Sequence, residues 1–142
     1  MTLQQVIQVI EQVALQQPSV NMIVPNDIFE LNSLSDAKYG VFGWTQGQHS
    51  ASVDSSLVTY AFTFFYVDRL TSDASNQLEV HSVGVQTLDN ILRSLDDLDI
   101  SASAAYTFQT FNQRFLDECA GVYCTVQLQV PVSSLCSENF TI

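Results

Sequence analysis

Two histidines, three cysteines and a scatter of carboxylates are the groups in this chain able to do acid–base, metal or nucleophilic chemistry. His49 falls in the polar stretch GQHSASVDSS, with no base or metal partner predictable beside it. His81 lies on the apolar stripe of a helix, where a packed structural side chain is expected. Cys119 and Cys124 share one strand region without a CxxC pair or a nearby histidine, whereas a zinc site needs about four ligands at suitable spacing. Cys124 alternates with Val122 and Val126 and reads as a small buried hydrophobe; Cys136 lies in the tail and is expected to be exposed. Asp68 and Asp73 flank a strand–helix link, and Asp117 and Glu118 precede the last strand. Paired carboxylates can do acid–base work only where they converge, and surface solvation is the simpler expectation. An enzyme would have to be built on Asp68, His81 and Asp117. The chain holds no GxGxxG, Walker loop, GxSxG or HExxH. The sequence therefore predicts no catalytic residue, no cofactor and no metal.

Charge narrows the function classes further. Fifteen acidic residues stand against four basic ones, a formal net of -11. The cations are Lys38, Arg69, Arg93 and Arg114. Nucleic-acid binding needs clustered Lys and Arg to displace counterions, and anionic lipid asks for the same. An acidic surface instead lets DNA pass without sticking. No apolar run approaches the roughly 18 to 20 residues of a membrane span. The start MTLQQVIQVIEQ has neither the basic opening nor the cleavage site of a signal peptide. Together with the sparse cysteines, this predicts a cytoplasm-like compartment.

The elements that would position these groups follow from periodicity. At 142 residues and 46% hydrophobic, the chain can fold as one domain, 1–142, with a real core. Leu3, Val6, Ile7, Ile10, Val13 and Ala14 predict a helix over 3–17, capped by Thr2 and ended by Pro18. Its other side is nearly all glutamine: Gln4, Gln5, Gln8, Gln12 and Gln16, with Glu11. That side reads either as a neutral wet face or as a subunit contact made without charge cost. Residues 20–31 suggest two short strands around a Pro25-Asn26-Asp27 turn. The strand KYGVFGWTQ, over 38–46, has Gly40 and Gly43 as marks of a bulge or close backbone approach. A polar, mobile tip then leads into the longest strand, 57–69, and 38–69 forms one long hairpin.

That strand carries Tyr60, Phe62, Phe64 and Tyr66 on one face and Leu57, Thr59, Ala61, Thr63, Phe65 and Val67 on the other. Both faces ask for cover, so it is a central strand. Extended, it reaches roughly 43 Å. A second helix is expected over 73–96, capped by Thr71 or Ser72, with a stripe of Leu78, His81, Val85, Leu88, Leu92 and Leu95. Gly84 inside it marks close packing against the sheet, at roughly 1 kcal/mol relative to Ala. Asp96, Asp97 and Asp99 oppose the helix dipole and should fray its end. A strand over 102–111 places Ala104, Tyr106 and Phe108 on one face. Another over 120–130 alternates from Ala120 to Val130, with Tyr123, Thr125, Gln127 and Gln129 outward. Residues 132–142 form an arm with little periodicity.

Strands grouped between two helices indicate an α+β fold: a mostly antiparallel sheet with both helices on one face. Helices on one side only would leave an aromatic sheet face wet, and a large apolar patch implies a partner. Candidate subunit-interface residues are Trp44, His49, Tyr60, Phe62, Phe64, Tyr66 and Tyr123. A homo-oligomeric ring, closed by head-to-tail contacts, would cover them.

Three segments carry a resemblance: KYGVFGWTQGQH, TYAFTFFYVDRLTSDASNQLEVHSVGVQTLDNIL and YTFQTFNQRFLDECAGVYC. They span much of 38–124 and look like the small neck and tail-completion proteins of tailed bacteriophages, particularly crAss-like phages of gut Bacteroidales. The element order is also similar to the tail-terminator fold. The resemblance implies a virion structural protein, assembled in the host cytoplasm, in a homo-oligomeric ring of the head–tail connector. Six- or twelve-fold symmetry is implied, with twelve favoured. The ring would bridge portal-side and tail-side proteins around a channel that DNA passes, with no membrane partner. The alternative class is a cytoplasmic α+β small-ligand or protein-binding module.

Overall fold

The computed structural model describes residues 1–25, 39–71, 73–114 and 118–132. Its spine is a pair of long antiparallel strands, β4 (Leu57–Arg69) and β7 (Glu118–Pro131), in register from Leu57↔Pro131 to Arg69↔Cys119. On the far side of β4 lies β2 (Val41–Gln46), antiparallel, and outside it β1 (Met22–Pro25), parallel to β2. The short β3 (Ser50–Ala51) also pairs with β4. The outer edge of β7 takes two pieces, β5 (Ser101–Ala102) and β6 (Gln109–Arg114). Among the described residues this is a 7-stranded mixed sheet, mostly antiparallel, ordered β1-β2-β4-β7-β5. Two helices, α1 (Leu3–Leu15) and α2 (Gln77–Asp96), cover one face of it, and the fold is α+β. Of the two short strands expected over 20–31, β1 is the first; the second, like the arm beyond Val132, lies outside the described residues.

The first helix starts where its capping chemistry says it should. Thr2 Oγ1 accepts from the Gln5 N–H at 3.2 Å, and Gln5 Oε1 accepts from the Thr2 N–H at 2.9 Å. This reciprocal box satisfies two donors that a helix start leaves unpaired. Val6, Ile10, Val13 and Ala14 form the buried side, while Gln4, Gln5, Gln8, Gln12 and Gln16 are exposed.

The second helix ends at Asp96 as expected, but departs from expectation at its start, in phase and in the order of its end. It begins at Gln77, later than the predicted 73, because the residues before it build a polar loop instead. Thr71 Oγ1 donates to Asp73 at 2.8 Å, the Ser75 N–H donates to the same carboxylate at 3.1 Å, and Asn76 Oδ1 accepts from the Thr71 N–H at 2.9 Å. Those bonds hold the Asp73 carboxyl below the usual carboxylate range, and Asn76, at the cap position, has no side-chain bond left for the helix. The buried face is Val80, Gly84, Thr87, Leu88, Ile91, Leu92 and Leu95, whereas Leu78 is 80% exposed. The stripe is rotated because its buried face includes Gly84 and Thr87, which the apolar pattern leaves out. A Cβ on Gly84 would sit 2.7 Å from Val122 Cγ2, so the glycine does mark the helix's close approach to the sheet.

At its far end α2 stops in order rather than fraying. Asp99 adopts a left-handed conformation (φ 63°), the Ile100 N–H bonds the Leu95 carbonyl at 3.0 Å, and the Asp99 N–H bonds that of Asp96 at 3.1 Å. Leu95 and Ile100, both fully buried, make the apolar contact that accompanies this stop. Glycine fills the left-handed position without the Cβ penalty. Asp99→Gly is therefore expected to raise stability by about 1 kcal/mol, read as a higher urea midpoint with an unchanged slope.

The helix-covered sheet face supplies the main core. Phe42, Trp44, Tyr60, Phe62, Phe64 and Tyr66 from β2 and β4 meet Val122, Cys124, Val126, Leu128 and Val130 from β7. At one end the opposite face is buried too: Val24, Val41, Phe65, Val67 and Cys119 form a second, smaller cluster. The expectation of a central strand clothed on both sides is met there. Two glycines make this possible. Gly43 faces Phe65 across one strand pair and Gly121 faces Phe111 across another, and each ring lies where a Cβ would project.

Candidate interaction surfaces

The residues singled out for chemistry do not converge among the described residues. The Asp68 carboxylate lies 3.4 Å from the Tyr66 hydroxyl, which also faces the Ser19 carbonyl at 3.3 Å. Burial first, then the Asp68 charge, pushes the Tyr66 phenol well above its ordinary range. The His81 Nε2 lies 3.4 Å from the Phe111 carbonyl, a bond that ties α2 to β6. Asp117 and Cys136 lie outside the described residues. No group of three or more His, Cys, Asp or Glu able to hold a metal is found among the described residues.

Cys124 is wholly buried on the helix-covered face, and burial, with Asp89 nearby, pushes its thiol up from 9.0 to about 11. Tyr66 is shifted in the same direction. In both cases the folded protein keeps a proton that the unfolded chain gives up first. For Cys124 the stabilisation is therefore complete below the unfolded value of 9.0 and is lost as pH rises toward about 11, whereas for Tyr66 the loss begins only above 10.0 and continues beyond that window. Urea midpoints measured across that window should fall with pH, and Cys124→Ala should flatten part of the fall.

His49 has a structural task that its sequence position concealed. The Ala61 N–H donates to His49 Nδ1 at 3.1 Å, and Nε2 donates to Gln46 Oε1 at 2.9 Å. This pairing places the proton on Nε2. The ring packs edge-on to Tyr60, with centroids 5.4 Å apart, and the Gly47 N–H bonds the Ala61 carbonyl at 2.8 Å. The hairpin tip, expected to be mobile, is strapped to β4 as far as Ala51. His49→Ala leaves the Ala61 N–H unpaired and should cost about 1–3 kcal/mol, seen as a lower thermal midpoint.

The remaining interface candidates divide sharply. Trp44, Tyr60, Phe62, Phe64 and Tyr66 are at most 8% exposed beneath the helices. Alternation puts four of these rings on one face but cannot say which face the helices take. They took this one, so these five side chains pack the protomer's own core and are not an open patch. Trp44 even spends its indole N–H on Glu11 of α1, at 3.0 Å. Tyr123 is different: it points from the opposite face and is 38% exposed.

A cluster that sequence reasoning missed ties α2 to the connection after β5. Tyr106 donates to Asp89 Oδ1 at 2.9 Å, and Arg93 Nε donates to Asp89 Oδ2 at 2.8 Å. The Arg93 bond, more than that of Tyr106, holds the Asp89 carboxyl low. Tyr106 was expected on a strand over 102–111, but 103–108 leaves the sheet and separates β5 from β6. The small Ser103, Ala104 and Ala105 offer little to a pleated surface, and the Asp89 bond draws the chain toward α2. The Asp89–Arg93 spacing of one helical turn was its only sequence signal. A recess of about 390 Å³ opens beside it, lined by Leu92, Arg93, Asp96, Ala102, Ala104 and Tyr106 among others.

Charge divides the molecule by layer. Among the carboxylates whose side chains are described, Glu11, Glu79, Asp89 and Asp96 are on the helices, Asp73, Asp97 and Asp99 flank α2, Asp68 is beside Tyr66 and Asp54 is on the hairpin tip. The outward sheet face carries Thr59, Thr63, Tyr123, Thr125 and Gln127, with Thr63 and Thr125 hydroxyls 3.3 Å apart. From Thr59 to Val67 and from Cys119 to Gln129, no outward side chain is charged; Arg69, over the Tyr39 ring, marks its end.

No protein-family model matches this chain, and no curated protein matches it. Among the described residues, fold and surfaces thus define an α+β protein with an acidic helix layer and an outer sheet face that is uncharged from Thr59 to Val67 and from Cys119 to Gln129. Among the described residues, no helix is long and apolar enough to cross a membrane.

Proposed function

We propose that this chain is a virion structural protein of a tailed bacteriophage, forming an oligomeric ring in the head–tail connector. The ring bridges portal-side and tail-side proteins around the DNA channel. The observation that carries this reading is the division of charge by layer. An acidic layer in a chain of net charge -11 repels a phosphate backbone, which suits a wall that DNA slides past. An uncharged face on the same protomer gives neighbouring proteins a contact free of like-charge repulsion. The sequence resemblance to neck and tail-completion proteins points the same way.

Quantitative mass spectrometry of purified virions tests the reading. The chain is expected at the copy number of a single ring, six or twelve, constant between preparations. Its absence from virions overturns the proposal. In that case the recess beside Tyr106 and Arg93 favours the second reading, a small-ligand or protein-binding module.

A further inference from the structure

The two histidines answer a proton in opposite ways. His49 Nδ1 accepts the Ala61 N–H at 3.1 Å, while its Nε2 donates to Gln46 Oε1 at 2.9 Å. A main-chain N–H only donates, so the Ala61 bond exists only while Nδ1 carries no proton. The His81 Nε2 instead faces the Phe111 carbonyl at 3.4 Å. A carbonyl accepts from that nitrogen in the charged ring as well as the neutral one. A proton therefore breaks the bond at His49 and leaves the bond at His81 intact.

The breakable bond sits within a strap along the edge of β4. The strand β2 leaves that edge at Gln46, opposite Phe62. Among the described residues, the main chain of β4 from Val58 to Ala61 is then covered on this side by residues 47–51. Gly47 N–H bonds the Ala61 carbonyl at 2.8 Å, Ser50 pairs with Thr59, and Ala51 pairs with Val58. The His49 ring lies over Tyr60 and Phe62, with centroids 5.4 and 5.8 Å away.

The ring's bonding and stacking partners are uncharged: Gln46 from β2, and Tyr60, Ala61 and Phe62 from β4. The titratable groups around them are the Tyr60 phenol, Met1, whose carbonyl accepts from Tyr60 at 3.4 Å, Glu11 of α1, which accepts from the Trp44 indole beside Phe62, and Asp54 on the hairpin tip. Among the described residues no carboxylate is ion-paired with the imidazole. A second proton on the ring thus meets no paired anion in exchange for the bond it breaks.

We propose that residues 47–51 are an acid-released strap: a proton on His49 Nδ1 displaces the Ala61 N–H, frees the strap and bares the β4 edge at Thr59 and Ala61. A bared strand edge is a template for pairing with another chain, so acid turns a closed edge into an open one. The device stands without the ring reading.

NMR of the isotope-labelled protein between about pH 8 and about pH 5, the range in which histidines change charge, tests it. His49→Asn is the matched variant, because Asn Oδ1 reaches where Nδ1 lies, accepts the same N–H and does not titrate. In wild type, hydrogen-exchange protection at the Ala61 amide should fall at least about tenfold as the His49 ring nitrogens report protonation, the scale of one lost bond. The Phe64 amide, which belongs to the β4–β7 ladder, should keep its protection. In the variant, Ala61 protection should stay level across the range. Three results overturn the proposal. The ring could take its proton while Ala61 stays protected. The variant could lose protection as wild type does. Nδ1 could remain unprotonated throughout.

Discussion

Gly121→Ala should destabilise this protein severely. Gly121 lies in β7, the strand that pairs with β4 along its whole length. A Cβ there would run into the Tyr66 carbonyl and would stand 2.5 Å from Phe111 Cζ. Neither obstacle can retreat cheaply. The carbonyl belongs to the backbone of the central strand, and moving it disturbs the β4–β7 ladder. Phe111 sits against the smaller core cluster. Overpacking commonly costs about 1–3 kcal/mol and more when the surroundings are rigid. Against a total stability of about 5–15 kcal/mol, a cost at or above the top of that range is severe. The check is the soluble yield and urea midpoint of the variant. A midpoint within error of wild type would mean that β7 and β4 are not packed as described.

Phe64→Ala is the second large effect. Phe64 is fully buried, packs against Phe42 and Phe62 with centroids 5.5 and 5.9 Å away, and faces Cys124 on β7. Truncation removes the ring from beneath the helices and leaves a cavity between rigid strands, which cannot collapse to fill it. A loss of about 3–5 kcal/mol is expected, with the slope of the denaturation curve unchanged. The substitution also separates two accounts of these aromatics. A residue that served only a subunit contact would change association and leave the isolated protomer's stability alone. A core residue lowers protomer stability at every concentration, and that is the result expected here.

Several elements were legible in the sequence because local rules decide them. Thr2 announced the start of α1, and the alternation from Ala120 to Val130 gave the buried face of β7 correctly. Gly84 was readable as a close approach to the sheet, and Gly43 as a bulge or close approach, although not that the Phe65 ring would fill it. The phase of α2 was misread because its buried face includes Gly84, against Val122, and Thr87, against Ser19, so the largest apolar residue in its first turn, Leu78, points to solvent. The ordered end at Asp99 was hidden because a left-handed aspartate looks like one more repelling charge. Which sheet face the helices cover is a matter of tertiary packing and has no local signature. Trp44 and its aromatic neighbours therefore moved from a supposed contact surface into the core. His49 was equally opaque, since its partner is a main-chain N–H across the hairpin. The charge division by layer could be seen only once strand register had put Thr63, Tyr123, Thr125 and Gln127 together.

The most direct test of the central claim is cryo-EM of the neck region of virions that contain this chain. A closed ring of its copies around an axial channel is expected, with the acidic helix layer toward DNA. Density for this chain outside any ring, or no density for it in the connector, would contradict the account.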